Sequence, residues 1–164
     1  MKRIISILLE NEFGALSRVV GLFSQRGYNI DTLAVAPTDD ETLSRLTLTT
    51  QGDSQMAEQI VKQLHKLIDT IKVVDLTEGP HIERELMLLK IKAQDNDSRT
   101  ELKNCVEIFR GHIIDVTPAS YTVQLAGDSE KLDAFIEAVS HMGIMEVVRS
   151  GVSGISRGDK FIRA

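Results

Sequence analysis

The sequence predicts an α+β protein made of two βαββαβ sandwiches in tandem, and three observations carry that prediction. Apolar residues recur first at strand spacing and then at helical spacing, in the order strand, helix, strand, strand, helix, strand. The same order then repeats along the second half. Between the halves, Thr77-Glu78-Gly79-Pro80 reads as a linker, since glycine and proline interrupt both kinds of element. Each half therefore reads as a ferredoxin-like split βαβ sandwich, an antiparallel sheet carrying two helices on one face.

In the first half, residues 3–9 alternate around Ile5, Ile7 and Leu9 as a strand, and Leu16, Val19, Val20 and Phe23 form the inner face of a helix that Gly27 stops. Strands follow at Ile30 to Ala36 and Leu43 to Thr50, separated by the turn Pro37-Thr38-Asp39-Asp40. Leu46 and Leu48 are expected to face in, Thr47 and Thr49 out. Ser54 is the expected N-cap of a helix whose inner face carries Met56, Ile60, Leu64, Leu67 and Ile68, and Ile71 to Leu76 is the closing strand.

The second half opens with a strand from Glu83 to Ala93 and a helix carrying Leu102, Cys105, Val106 and Phe109. His112 to Val116 and Ser120 to Ala126 are the paired strands, joined through Thr117-Pro118. A helix with Leu132, Phe135, Ile136 and Val139 and a strand around Met145 to Val148 complete the set. Beyond it the pattern fails: Gly151, Gly154 and Gly158 loosen a locally basic tail, read as a solvated terminus. Apolar residues on the other strand phase (Ile4, Leu8, Leu89, Ile91) imply that the second sheet faces are also covered, by the sister half or by another subunit.

Composition narrows the function. The net charge of −5 is spread among interspersed acids and bases, which argues against nucleic acid or an anionic membrane as partner. No apolar run approaches the ~20 residues of a membrane-spanning helix, and Met1-Lys2-Arg3 leads into no cleavable signal segment. The single cysteine, Cys105, fits a reducing cytoplasm and a place in the core. The four histidines lie in four different elements without ligand spacing, and Asp39-Asp40-Glu41 sits in a turn, so neither a metal nor a catalytic constellation is predicted. Strands Ile4 to Leu9 and Leu43 to Thr50 lack the aromatic residues on which RNA-recognition domains stack bases, and the first loop has Asn11 and Glu12 where acylphosphatase-type enzymes place an arginine.

What remains is a binding loop. Leu8 to Arg18 passes from an apolar strand, through Gly14, into an amphipathic helix whose first turn presents unpaired N–H groups at its positive end. A carboxylate suits that end. The second strand is expected at a sheet edge, with Asn29 at its start and so about 20 Å from the loop in the same chain. Antiparallel pairing of two such edges across a two-fold axis would bring Asn29 of the partner subunit to the loop. The result is a site between subunits, walled by residues such as Leu16, Ile30 and Leu33 and suited to a small aliphatic amino acid.

The runs Leu-Leu-Glu-Asn-Glu-Phe-Gly-Ala-Leu-Ser-Arg-Val (8–19), Phe-Ser-Gln-Arg-Gly-Tyr-Asn-Ile (23–30), Ala-Pro-Thr-Asp-Asp (36–40) and Leu-Ser-Arg-Leu-Thr (43–47) resemble the ACT domains of acetohydroxyacid synthase (acetolactate synthase) regulatory small subunits. The resemblance continues through Glu-Ile-Phe-Arg-Gly (107–111), Ile-Ile-Asp-Val-Thr-Pro (113–118), Tyr-Thr-Val-Gln-Leu-Ala-Gly (121–127), Lys-Leu-Asp-Ala-Phe (131–135) and Arg-Ser-Gly (149–151). It implies an ACT domain over 1–77, for effector binding and dimerisation, and a C-terminal ferredoxin-like domain over 82–164. It also implies a cytoplasmic, non-catalytic chain with no cofactor of its own, joined to a large subunit that uses thiamine diphosphate, Mg²⁺ and FAD. That enzyme condenses pyruvate with a second 2-oxo acid in branched-chain amino-acid biosynthesis. The small subunit would raise its activity and confer feedback inhibition by valine. The effector would touch Asn11, Gly14, Ala15 and Leu16 of one chain and Asn29 and Ile30 of the other, its carboxylate on the Ala15 and Leu16 amides. A free-standing tandem ACT-like amino-acid sensor is the alternative, weakened by the absence of any helix-turn-helix pattern.

Overall fold

Seven consecutive buried residues, Arg3 to Leu9, make β1 (Lys2–Glu10) a strand covered on both faces, and the rest of the first unit is built around it. The computed structural model describes residues 1–164. They form two compact units, Met1–Glu83 with Gly151–Ala164, and Arg84–Ser150.

In the first unit, β1 lies between β3 (Leu43–Gln51) and β4 (Thr70–Asp75), with β2 (Thr32–Pro37) outside β3, in the order β2-β3-β1-β4. All neighbours are antiparallel, so β1 and β2 run parallel and β2 is an edge, as expected. α1 (Ala15–Arg26) and α2 (Ser54–His65) bury Val19, Phe23, Ile60 and Leu64 against Ile5, Ile7, Leu46 and Leu48. Gly27 ends α1 at φ +71°, where Tyr28 N–H donates to the Phe23 carbonyl at 2.9 Å.

The structure corrects four local expectations here. Leu16 is exposed and outside the core, so the inner face of α1 is carried by Ala15, Val19 and Phe23. The N-cap of α2 is Asp53, whose carboxylate accepts Met56 N–H at 2.8 Å and moves Ser54 inside the helix. That helix closes at His65, so Leu67 still reaches the core while Ile68 is 87% exposed. Thr47 and Thr49 are buried instead of facing water. Each hydroxyl has a partner: Thr49 Oγ1 lies 2.6 Å from Thr32 Oγ1, and Thr47 Oγ1 accepts Gly154 N–H at 3.4 Å.

That last contact comes from the tail, which is not a solvated terminus. Gly151 and Val152 are buried, and β9 (Ser153–Ser156) pairs with β5 (His81–Lys92), Arg157 N–H donating to the Pro80 carbonyl at 3.0 Å. Gly151, at φ +85°, lies so close to the Leu33 backbone that a Cβ would come within 3.1 Å of its carbonyl oxygen. A Cβ at Gly154 would meet Leu76, Ile4 and Thr47. Part of the cover expected over the second face of this sheet is therefore the chain's own C-terminal segment.

The second unit repeats the architecture with β6 (His112–Val116), β7 (Ser120–Gly127), β5 and β8 (Ile144–Arg149) in that order, antiparallel throughout. α3 (Asn96–Ile108) and α4 (Ser129–Val139) contribute Leu102, Val106, Leu132 and Phe135 to its core. Leu89 and Ile91 belong to this core, so the second-phase apolar residues of β5 are Leu86 and Leu88 instead. Asp95 caps α3 in a capping box with Ser98, and Asp128 caps α4.

Candidate functional site

The loop from β1 to α1 lies where β1 ends against the start of β3. Asn11 N–H donates to the Thr42 carbonyl at 2.7 Å, and Asn11 Nδ2 to the Glu41 carbonyl at 3.0 Å. With its amide nitrogen engaged, Asn11 leaves Oδ1 as a free acceptor. Gly14 is the N-cap of α1 at φ +81°, a left-handed conformation that suits glycine, and no side chain caps the helix. Ala15 N–H makes a long 3.3 Å bond to the Glu12 carbonyl, and the helical bonding starts with Arg18 N–H on the Gly14 carbonyl at 2.9 Å. The positive end of α1 is therefore weakly satisfied, in contrast to α2, α3 and α4, each closed by an aspartate.

Beside this loop lies a cavity of about 250 Å³. Asn11, Ala15 and Leu16 line it, as do Glu10, Glu12 and Ser44. Val35, Ala36 and Pro37 supply its other wall from the far end of β2. Sequence reasoning missed these three, because their place follows from the register Ala36↔Arg45 and Pro37↔Ser44. The alternation of β2 gives no hint of it. Chemically the cavity offers aliphatic walls, a free helix N-terminus for a carboxylate, and an Asn oxygen with nearby carboxylates for an ammonium group. Its acidic rim disfavours a second negative charge on the ligand.

Gly14 is adjacent but does not line the cavity. It faces a separate groove with Ser17, Arg18 and Gly21. Asn29 and Ile30 lie elsewhere. The Asn29 carbonyl accepts Thr50 Oγ1 at 2.5 Å, at the opposite end of β3 from the loop, and Nδ2 donates to Asp31 Oδ1 at 2.8 Å. One chain thus brings together Asn11, Ala15 and Leu16 and keeps Asn29 and Ile30 a strand length away.

No group of three or more His, Cys, Asp or Glu side chains converges on a metal-sized space, and no helix is long and apolar enough to cross a membrane. Arg45, half buried, has its guanidinium held below its ordinary pKa by burial, while Arg18 is held above it by its bond to Asp69.

A βαββαβ sandwich with a glycine-capped helix opening on a cavity at its edge strand has the architecture of an ACT domain. Residues 5–72 match the family described as the AHAS small subunit-like ACT domain, and residues 84–158 match that described as the small subunit of acetolactate synthase. The chain is 63% identical, over 99% of its length and 100% of theirs, to the acetolactate synthase isozyme 3 small subunits of Salmonella typhimurium and Escherichia coli. A crystal structure of the acetolactate synthase small subunit from Thermotoga maritima superposes with a TM-score of 0.87 at 33% identity, covering 98% of this chain and 99% of that one. The chain belongs to the acetolactate synthase small subunits, and its role is that of a regulatory subunit of that enzyme.

Proposed function

We propose that this chain activates the catalytic large subunit of acetolactate synthase and makes it sensitive to feedback inhibition by valine, bound between the ACT domains of two chains. The chemistry, with its thiamine diphosphate, Mg²⁺ and FAD, belongs to the large subunit; this chain contributes no catalytic group and acts in the cytoplasm. The observation that carries the reading is where the cavity opens: at the Val35–Pro37 end of β2, an edge strand.

Two such edges pairing antiparallel across a two-fold axis set the start of one β2 beside the end of the other. Asn29 and Ile30 of the partner subunit would then reach the half-site formed by Asn11, Gly14, Ala15 and Leu16. Asn29 Nδ2 is tied to Asp31, so its Oδ1 is a second acceptor for an α-ammonium group. The carboxylate takes the Leu16 amide and displaces the long Ala15–Glu12 bond, and the branched side chain lies on Leu16, Val35 and Ala36. Inhibition follows if valine binds two states of the holoenzyme unequally.

Reconstitution tests this. The full chain mixed with its large subunit is assayed for acetolactate with and without valine. Stimulation without valine and loss of the stimulated rate with it are expected. A large subunit indifferent to the chain would contradict regulation, and stimulation that no branched-chain amino acid reverses would contradict the effector site.

A further inference from the structure

Arg18 belongs to the first turn of α1 but reaches back to the loop before it. Its Nε donates to Asp69 Oδ2 at 2.5 Å and its Nη2 to the Phe13 carbonyl at 3.2 Å. The anchor is firm: the Asp69 side chain is only 8% exposed, and its backbone carbonyl accepts Glu10 N–H at 2.9 Å at the end of β1. A Cβ at Gly14 would come within 2.9 Å of Arg18 Nη1, so the guanidinium is seated against that glycine. Neither Arg18 nor Gly14 lines the effector cavity. Arg18 therefore does not bind the ligand's carboxylate from inside the cavity, and two of its donors are committed to protein acceptors.

We propose that Arg18, anchored by Asp69, is a positioning residue for the effector half-site: it fixes the Phe13 carbonyl and so aims the Ala15 and Leu16 amides at the cavity before a ligand arrives. This rests on the effector reading above and assigns to it the part that holds the loop. An uncapped helix start is prone to fray, because no side chain satisfies its first amides. A rigid guanidinium fork that grips the preceding carbonyl and a buried carboxylate together limits that motion. Arginine suits the task because its donors are splayed in one plane; lysine offers a single charged point and cannot reach both acceptors in this geometry. Holding the loop beforehand spares the ligand the cost of ordering it.

Three full-length variants test the assignment: Arg18→Lys, which keeps the charge opposite Asp69, Arg18→Met, which keeps the apolar stem, and Asp69→Asn. Hydrogen exchange of the free proteins is read first. The amides of residues 15 and 18, bonded to the Glu12 and Gly14 carbonyls, are expected to exchange about tenfold faster in all three, with the β1 and β3 amides unchanged, and lysine is expected not to rescue. Valine affinity by calorimetry is expected to fall at least tenfold, and the Arg18→Met, Asp69→Asn double variant to lose no more than the worse single one. Wild-type exchange at residues 15 and 18 in Arg18→Met, or full rescue by lysine, would overturn the clamp. Faster exchange with valine affinity within twofold of wild type would overturn its role at the site. If the wild-type protein itself binds no valine, leucine or isoleucine, the effector reading falls and the positioning role with it. The exchange data then separate that failure from the absence of a clamp.

Discussion

Arg45 Nη2 donates to the Gly154 carbonyl at 3.2 Å, tying a side chain of β3 to the C-terminal segment. The same guanidinium donates through Nε to Ser6 on β1, and Gly154 N–H returns a bond to Thr47. Buried polar groups on the second face of the first sheet are thus satisfied by residues far away in sequence. Two glycines make this approach possible, and substitution there tests whether the segment is structural.

Gly151→Ala places a Cβ at φ +85° and 3.1 Å from the Leu33 carbonyl oxygen. Left-handed backbone costs a non-glycine residue about 1–2 kcal/mol, and the contact adds to it. The apparent melting temperature should fall by at least about 4 °C. Gly158→Ala, at φ +70° with nothing near its Cβ, carries only the backbone strain and should lose less. Equal melting of Gly151→Ala and wild type would mean that the segment is not packed on β2.

Gly14→Asp should remove the effector response. It strains a residue at φ +81° and sets a carboxylate at the open end of α1, where it competes with the ligand's own. At α3 the same device already operates, with Asp95 accepting Ser98 N–H at 2.7 Å. Acetolactate assays of the reconstituted holoenzyme should give at least a tenfold higher valine concentration for half inhibition, while far-ultraviolet circular dichroism stays that of the wild type. Unchanged inhibition would remove the loop from the site.

Filling the cavity should act in the same direction by a different route. Ala36→Leu adds three carbons to the wall of a cavity of about 250 Å³, leaving too little room for a branched side chain. Valine affinity measured by calorimetry should drop at least tenfold, and glycine or alanine should be less affected. A variant that binds valine as wild type does would show that the ligand lies elsewhere.

Asp95 gives a pH test of the second unit. Bonds from the Ser98 amide and hydroxyl hold its carboxyl below its ordinary value of 3.8. Folding therefore favours the ionised form, so this contribution is complete above the ordinary range and is lost as pH falls through about 3.8 towards the depressed value. Asparagine caps comparably but does not titrate. Melting temperatures of Asp95→Asn should fall less than those of wild type between pH 5 and pH 3, and parallel decline would refute the cap's contribution.

The element order was legible because β1, α1, α2 and their counterparts carry clean apolar periods, and Gly27 marks a helix end unambiguously. β9 was not. Its four residues, Ser153-Gly154-Ile155-Ser156, send no apolar side chain into the core, Ile155 being exposed, because this segment packs with its backbone against Ile4, Thr47 and Leu76. Thr47 and Thr49 misled for a related reason: a threonine is small enough to be buried once its hydroxyl is bonded, which composition cannot reveal. At the site, Asn11, Ala15 and Leu16 follow from one local loop. Val35 to Pro37 depend on cross-strand register, and Arg18 and Asp69 meet only after β4 folds against β1.

The central claim, a site built from the loop of one chain and Asn29 of another, is tested most directly by complementation. Gly14→Asp and Asn29→His chains, the histidine removing the amide and adding bulk, are each expected to lose the valine response alone; they are unfolded, mixed and refolded together, then assayed with the large subunit. In a mixed dimer one site takes its loop from the Asn29→His chain and its Asn29 from the Gly14→Asp chain, and is wholly wild type. The mixture should regain valine binding at one site per mixed dimer, with partial inhibition. If it responds no better than either variant alone, the site does not cross between subunits.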